Sequence, residues 1–145
     1  MHPNVMTPKQ KLIVQATFEQ VHPMMPHVAD RFYSRLFRQH DELKQLFTNS
    51  QHKQAIEFGR SLSEIIHRLD KPVELESYLQ MLAERHEEYG LTDKHYIEAG
   101  KAFVFGIRHT LGSKFNRSIA DAWNAFFRDI GRQMAVKKNS SRDQF

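Results

Sequence analysis

The segment Val73–Gly90, VELESYLQMLAERHEEYG, decides how the rest of the chain is read. Leu75, Leu79, Leu82 and His86 follow a 4-3-4 rhythm, the repeat of one face of an α-helix. Glu84, Arg85, Glu87 and Glu88 mostly flank the other side, and Gly90 is a helix stop. His86 therefore continues an apolar stripe and faces inward. On this helix alone its ordinary reading is a satisfied core histidine, or a C-terminal histidine that favours the macrodipole. A ligand role needs a second feature.

The same periodicity recurs on both sides, and strand-like alternation is missing. Thr7 reads as an N-cap with Pro8 in the first turn, and Leu12, Ile13, Ala16 and Val21 as the apolar side of a first helix. Pro23 and Pro26 start a second, which carries Val28, Ala29, Phe32, Tyr33, Leu36 and Phe37 inward. HDELKQLF is a short helix that begins at Asp41 and ends at Phe47. The next, from Gln51 to Leu69, bears the stripe Phe58, Leu62, Ile65, Ile66 and Leu69 before DKP breaks it. Thr92 or Asp93 caps a long helix through Leu111. The last runs from Arg117 to Val136 with Ala122, Trp123, Phe126, Phe127 and Ile130 on one side. The expected class is all-α, with about seven helices in one domain over residues 1–145. Its core is expected over 7–136, and 137–145 as a frayed tail.

Composition narrows the chemistry. The chain of 145 residues has no cysteine, which excludes disulfides, thiolate metal sites, cysteine nucleophiles and covalent haem attachment through C-x-x-C-H. A net charge of +4 does not force nucleic-acid binding. No apolar run reaches the roughly 18 residues of a membrane span, and the N-terminus lacks signal-peptide character. A cytoplasmic protein without stable membrane insertion is expected.

No G-x-G-x-x-G, P-loop, H-E-x-x-H or G-x-S-x-G motif is present. His86 and His95 could place two ligands across a turn, but lack the close histidine and carboxylate spacing of a zinc site. What stands out is that three helices each set one polar group on an apolar face: Tyr33, Gln54 and His86. An unpaired buried polar group costs about 1–3 kcal/mol, so these need partners, common or separate. Tyr33 bonded to a backbone carbonyl and Gln54 at an exposed helix start are the plain alternatives. With 11 phenylalanines in the chain, the set suits a flat apolar cofactor bound by one axial bond, which is haem.

At this point the chain resembles bacterial single-domain haemoglobins and the globin domain of flavohaemoglobins. The matching pieces are FYSRLF, ELKQLF, LAERHEEYG, HYIEAG and LGSKFNRSIADAWNAFF, in order from Thr7 to Met134. The separation of Gln54 from His86 also matches the family's distal-to-proximal spacing. The resemblance implies a globin fold around one haem pocket, with non-covalent haem b. It implies His86 as proximal iron ligand, with a carbonyl near Leu82 as partner of its other nitrogen. It implies Phe47 as the wedge on the haem plane, and Tyr33 and Gln54 as distal donors to bound gas. Phe58, Leu79, Leu82, Tyr96, Phe103 and Phe127 become pocket wall. A register shift of the SQHKQ segment would bring His52 or Lys53 to the iron as a sixth ligand instead.

The match is incomplete in two respects. Flavohaemoglobin-like domains back the proximal histidine with a tyrosine and a glutamate; Tyr96 matches the first, and Lys138 stands where the second falls. A weaker proximal push and weaker peroxidase-like character follow. Flavohaemoglobins also carry a reductase module, and the sequence ends at Phe145, so an external reductase is expected for sustained turnover. The resemblance implies reversible dioxygen binding for storage, transport or buffering, with nitric oxide and carbon monoxide as further ligands. Nitric oxide dioxygenation with an external reductase is the enzymatic alternative, and a haem-based gas sensor is a third.

Overall fold

The computed structural model describes residues 6–44, 51–87 and 92–143; the side chains of 51, 52, 86, 87, 93 and 135–143 lie outside the described ones. Helix α1 is Pro8–Val21, α2 Met25–Gln39, α3 Asp41–Lys44, α4 Gln51–His67, α5 Pro72–Glu87, α6 Asp93–Leu111 and α7 Arg117–Asp143. Short 3-10 turns at His22–Met24 and Gly112–Lys114 join α1 to α2 and α6 to α7. There are no strands among the described residues.

Local chemistry sets most of the helix starts. The Thr7 hydroxyl accepts from the Gln10 amide at 3.1 Å, and the Gln10 side chain accepts from the Thr7 amide at 3.0 Å. This reciprocal box satisfies two otherwise orphaned donors at the head of α1. Pro26 sits in the first turn of α2, where its missing N–H costs nothing. At the end of α6, Gly112 takes a φ of 56°, a left-handed turn that a side chain would resist.

The buried side of α1 differs from the expected one. Val14, Thr17, Phe18 and Val21 are buried, whereas Ala16 is exposed and Leu12 is 66% exposed. The 4-3 step from Val14 through Phe18 to Val21 sets the inward face, and Leu12 falls across the helix from it. Thr17 tolerates burial because its hydroxyl donates to the Ile13 carbonyl.

The long helices cross in layers. α6 packs on α2 and on α7, α1 and α5 pack on α7, and α4 packs on α2. Gly106 makes the α2–α6 crossing close, since a Cβ there would lie 2.9 Å from the Val28 carbonyl oxygen. An aromatic column runs through the centre. Phe32 stacks on Phe58 at 4.4 Å, Phe103 lies 6.0 Å from Phe58, and Trp123 sits 4.6 Å beyond Phe103. By contrast α4 and α5, consecutive in the chain, barely touch.

α7 continues to Asp143, through the segment expected to fray. No proline or glycine follows Gly131 to stop it. Among the described residues no helix is long and apolar enough to cross a membrane.

Candidate functional site

The gap between α4 and α5 is a cavity of about 420 Å³. Phe32, Tyr33 and Leu36 of α2 and Leu43 of α3 close one end. Gln54, Phe58, Leu62 and Ile65 of α4 face Tyr78 and Leu82 of α5. Tyr96 and Ala99 of α6 and Phe126, Phe127, Ile130 and Met134 of α7 form the floor. Glu57, Arg60, Ser61, Arg85 and His95 add polar groups to the wall.

Tyr33 is held from several directions. It is 4% exposed, stacks on Phe37 at 5.6 Å, and meets Phe32 and Phe58 edge-on at 5.0 and 5.8 Å. Its hydroxyl donates to the backbone carbonyl of Gln54 at 3.3 Å. This is the backbone-bonded arrangement expected of an ordinary buried tyrosine, and it coexists with a place in the cavity wall. Burial pushes the ionisation of Tyr33 well above the ordinary tyrosine range, and the negative charge of Glu57 adds to it. Tyr33 thus stays a neutral hydroxyl, able to donate. The bond to Gln54 is long, so turning the proton toward a guest in the cavity loses little.

The half-buried side chain of Gln54 lines the same wall. Lys53, the alternative from a shifted register, is exposed and is not in the wall; the side chain of His52 is outside the described ones. Phe58, Leu82, Tyr96 and Phe127 line the cavity. Leu79 and Phe103 do not. Both are fully buried, but behind the wall: Phe103 backs Phe32, Phe58 and Phe127, and Leu79 lies on α5, which packs on α7. Periodicity marked them as buried without saying against what. Phe47 lies outside the described residues. Position 86 is on α5, one turn beyond Leu82, and its side chain is outside the described ones, as is that of Lys138.

Tyr96 owes its place to α7. A Cβ on Gly131 would fall 2.5 Å from the Tyr96 Cβ and 2.6 Å from its Cγ, so the tyrosine occupies the notch that the glycine leaves. One residue earlier, His95 closes the N-terminal box of α6. Its Nδ1 accepts the Thr92 amide at 3.0 Å, which leaves its proton on Nε2. His40 stands edge-on to it at 6.3 Å, with Nδ1 3.4 Å from Glu42 and Nε2 3.6 Å from Glu98. Glu57, Arg60 and Arg85 were missed in the sequence because charged residues beside an apolar stripe read as a solvated face. The sequence offered His95 only as a metal ligand across the turn from His86, and not as a wall residue.

The site is a mostly apolar slot between two helices, with a neutral hydroxyl and an amide on one side and cationic groups at its rim. That places the protein among all-α proteins with a cavity between consecutive helices. The globin family model matches residues 30–134, and the chain belongs to that family. It is 27% identical to a flavohemoprotein of Bordetella pertussis, over 91% of this chain and 35% of that protein. It is 27% identical to a flavohemoprotein of Deinococcus radiodurans, over 90% of this chain and 33% of the relative. For a flavohemoprotein of Rhizobium meliloti the identity is 28%, over 82% and 30%. The chain thus spans about a third of the length of the curated relatives it matches.

Membership implies non-covalently bound haem, and the cavity fits it. The chain has no cysteine for covalent attachment. The facing stripes of α4 and α5 leave between them a space that side chains do not fill, where an empty slot would forfeit the dispersion contacts of its walls. Aromatic and aliphatic surfaces suit the apolar macrocycle, and Arg60 and Arg85 suit its carboxylates.

Proposed function

We propose that the protein binds dioxygen reversibly at haem iron, with His86 as the proximal ligand. The observation that carries this reading is the convergence of Tyr33 and Gln54 on one wall of the cavity, across from the helix that bears His86. Haem supplies the open coordination position at which a diatomic gas attaches. The remaining work belongs to the chain. Tyr33 and Gln54 donate to the partial negative charge that dioxygen acquires, in a slot whose aromatic walls keep water out. Phe47 would pack against the macrocycle, and Arg60, Arg85 and His95 would hold its carboxylates. With a lysine rather than a carboxylate at position 138 of the sequence, the imidazole of His86 would be less basic, and the site would favour holding dioxygen over splitting it.

The first test is the absorption spectrum of the purified protein after haem addition, ferric, ferrous and with carbon monoxide. A Soret band that is lost or displaced in His86→Gly and restored by added imidazole supports the ligand assignment. Absence of a Soret band in the unsubstituted protein refutes the reading. Tyr33→Phe and Gln54→Leu are expected to speed dioxygen release by about tenfold or more, the loss of one donor each, while carbon monoxide release changes much less. Unchanged dioxygen release in both variants removes the distal assignment.

A second reading is nitric oxide dioxygenation. The flavohemoprotein relatives favour it, since their name couples haem to flavin, a source of reducing equivalents. It uses the same distal pair and adds rereduction by an external flavin reductase. Multiple turnovers of nitric oxide to nitrate with such a reductase support it; a single turnover followed by accumulation of ferric protein counts against it.

A further inference from the structure

α2 turns a row of arginines away from the cavity. Arg31, Arg35 and Arg38 follow one another at helical spacing, on the side opposite Phe32, Tyr33 and Leu36. Arg31 and Arg38 are exposed and Arg35 is half-buried. They border a hollow of about 120 Å³ that Phe105 of α6 closes. Arg35 lies over that ring, with its guanidinium carbon 4.7 Å from the centroid. His109 meets the same ring edge-on at 4.7 Å, and Arg108 beside it is exposed. Among the described residues, none of these four arginines forms an ion pair with a carboxylate. Asp30 also borders the hollow.

Such a row is unfavourable in isolation. Like charges one helical turn apart repel and weaken the helix that carries them. The arrangement becomes favourable when a partner brings carboxylates, which guanidinium groups grip in bidentate fashion. Arginines around an aromatic ring have the composition of an interface anchor. The cluster spans about 10 Å along α2 and has Asp30 at one end, too short and too mixed in sign for the phosphate track of a nucleic acid. A small acidic protein surface fits it.

We propose that this face docks an acidic flavoprotein that donates electrons to the haem. The inference rests on the haem reading above, in which the iron must be returned to its ferrous state whenever it is oxidised. The arginine row and the cavity lie on opposite sides of α2, so one helix diameter, about 10–12 Å, separates a docked donor from the aromatic wall of the slot. In the step the donor's reduced flavin gives up one electron and ferric iron becomes ferrous; no bond forms or breaks. Charge complementarity steers the encounter, so it shows in the association rate and its dependence on salt.

The test is stopped-flow reduction of the ferric, haem-loaded protein by two donors: reduced flavodoxin, as the acidic flavoprotein, and dithionite, as a small donor without a docking surface. With flavodoxin the bimolecular rate is expected to fall about tenfold between roughly 50 and 500 mM salt. The triple variant Arg31→Gln, Arg35→Gln, Arg38→Gln is expected to react about tenfold more slowly at low salt and to lose most of the salt dependence. The corresponding triple lysine variant keeps the charge and recovers most of the rate. The Soret spectrum and dithionite reduction stay unchanged in all of them. A glutamine variant that flavodoxin reduces as fast as the unsubstituted protein overturns the proposal. So does a variant that loses only binding to duplex DNA, which would assign the face to a polyanion. Absence of any Soret band defeats the haem reading itself, and the donor surface with it; a normal band with unchanged flavodoxin rates defeats the donor surface alone.

Discussion

Gly131→Ala tests the packing behind the cavity by the sign of its effect. Gly131 lies inside α7, and helix propensity alone makes alanine more stable there by about 0.8–1.0 kcal/mol. A steric conflict opposes that gain and outweighs it. The new Cβ would stand 2.5 Å from the Tyr96 Cβ and 3.1 Å from its Cδ2. A Cβ is the root of a side chain, so rotation of the ring cannot relieve the contact; α6 and α7 must separate. Overpacking of this kind costs about 1–3 kcal/mol, and the close contact with Tyr96 puts the site at the upper end. The net expectation is a loss of about 2 kcal/mol, or a fall of about 6 °C in Tm. Thermal unfolding followed by circular dichroism measures it. Gly59→Ala is the control, because the atom its Cβ meets at 2.9 Å is the Met25 Cγ, part of a flexible chain that can move aside. The displaced Tyr96 should also speed haem loss to an acceptor apoprotein. A Gly131→Ala protein that melts at or above the temperature of the unsubstituted one refutes the account of Tyr96.

Two predictions follow from the electrostatics of Tyr33. Its ionisation is raised in the fold, so the neutral form is favoured there: the associated stability is complete below the unfolded value of about 10 and is lost as pH rises beyond it. Tyr33→Phe should therefore flatten the alkaline decline of stability, as seen by urea midpoints compared at neutral pH and above pH 10, while costing about 1 kcal/mol or less at neutral pH. Equal alkaline declines in both proteins argue against the burial of this hydroxyl. Glu57→Gln removes the second cause of the shift and leaves the first, so Tyr33 should ionise at lower pH, yet still above an ordinary tyrosine. Ultraviolet titration of the haem-free protein, with Tyr33→Phe to assign the signal among four tyrosines, measures it; no downward movement means that Glu57 does not reach the hydroxyl.

Helix starts were legible because their chemistry is local. Thr7 with Pro8, Pro26 in its first turn and Thr92 before Asp93 each announce a beginning within a few residues. The end of α7 was less legible, since no proline or glycine follows Gly131 to mark a stop. Within the site, Tyr33 and Gln54 were found as polar interruptions of apolar stripes, and both line the cavity. Leu79 and Phe103 belong to stripes too, but a stripe reports burial and not the identity of the neighbour. Glu57, Arg60 and Arg85 escaped for the opposite reason. Their long side chains reach the rim from positions beside the stripe, and sequence gives no measure of that reach.

Trp123 is the single tryptophan of the chain, fully buried, and its indole N–H finds no hydrogen-bond partner among the described residues. It lies 6.4 Å from the ring of Phe127, which forms part of the cavity wall. An indole in so dry a setting should emit at short wavelength, and a strongly absorbing macrocycle in the slot should extinguish that emission by energy transfer. The protein thus carries its own optical gauge of occupancy: one unlabelled fluorophore, one distance, and a signal that falls as the slot fills and returns as it empties.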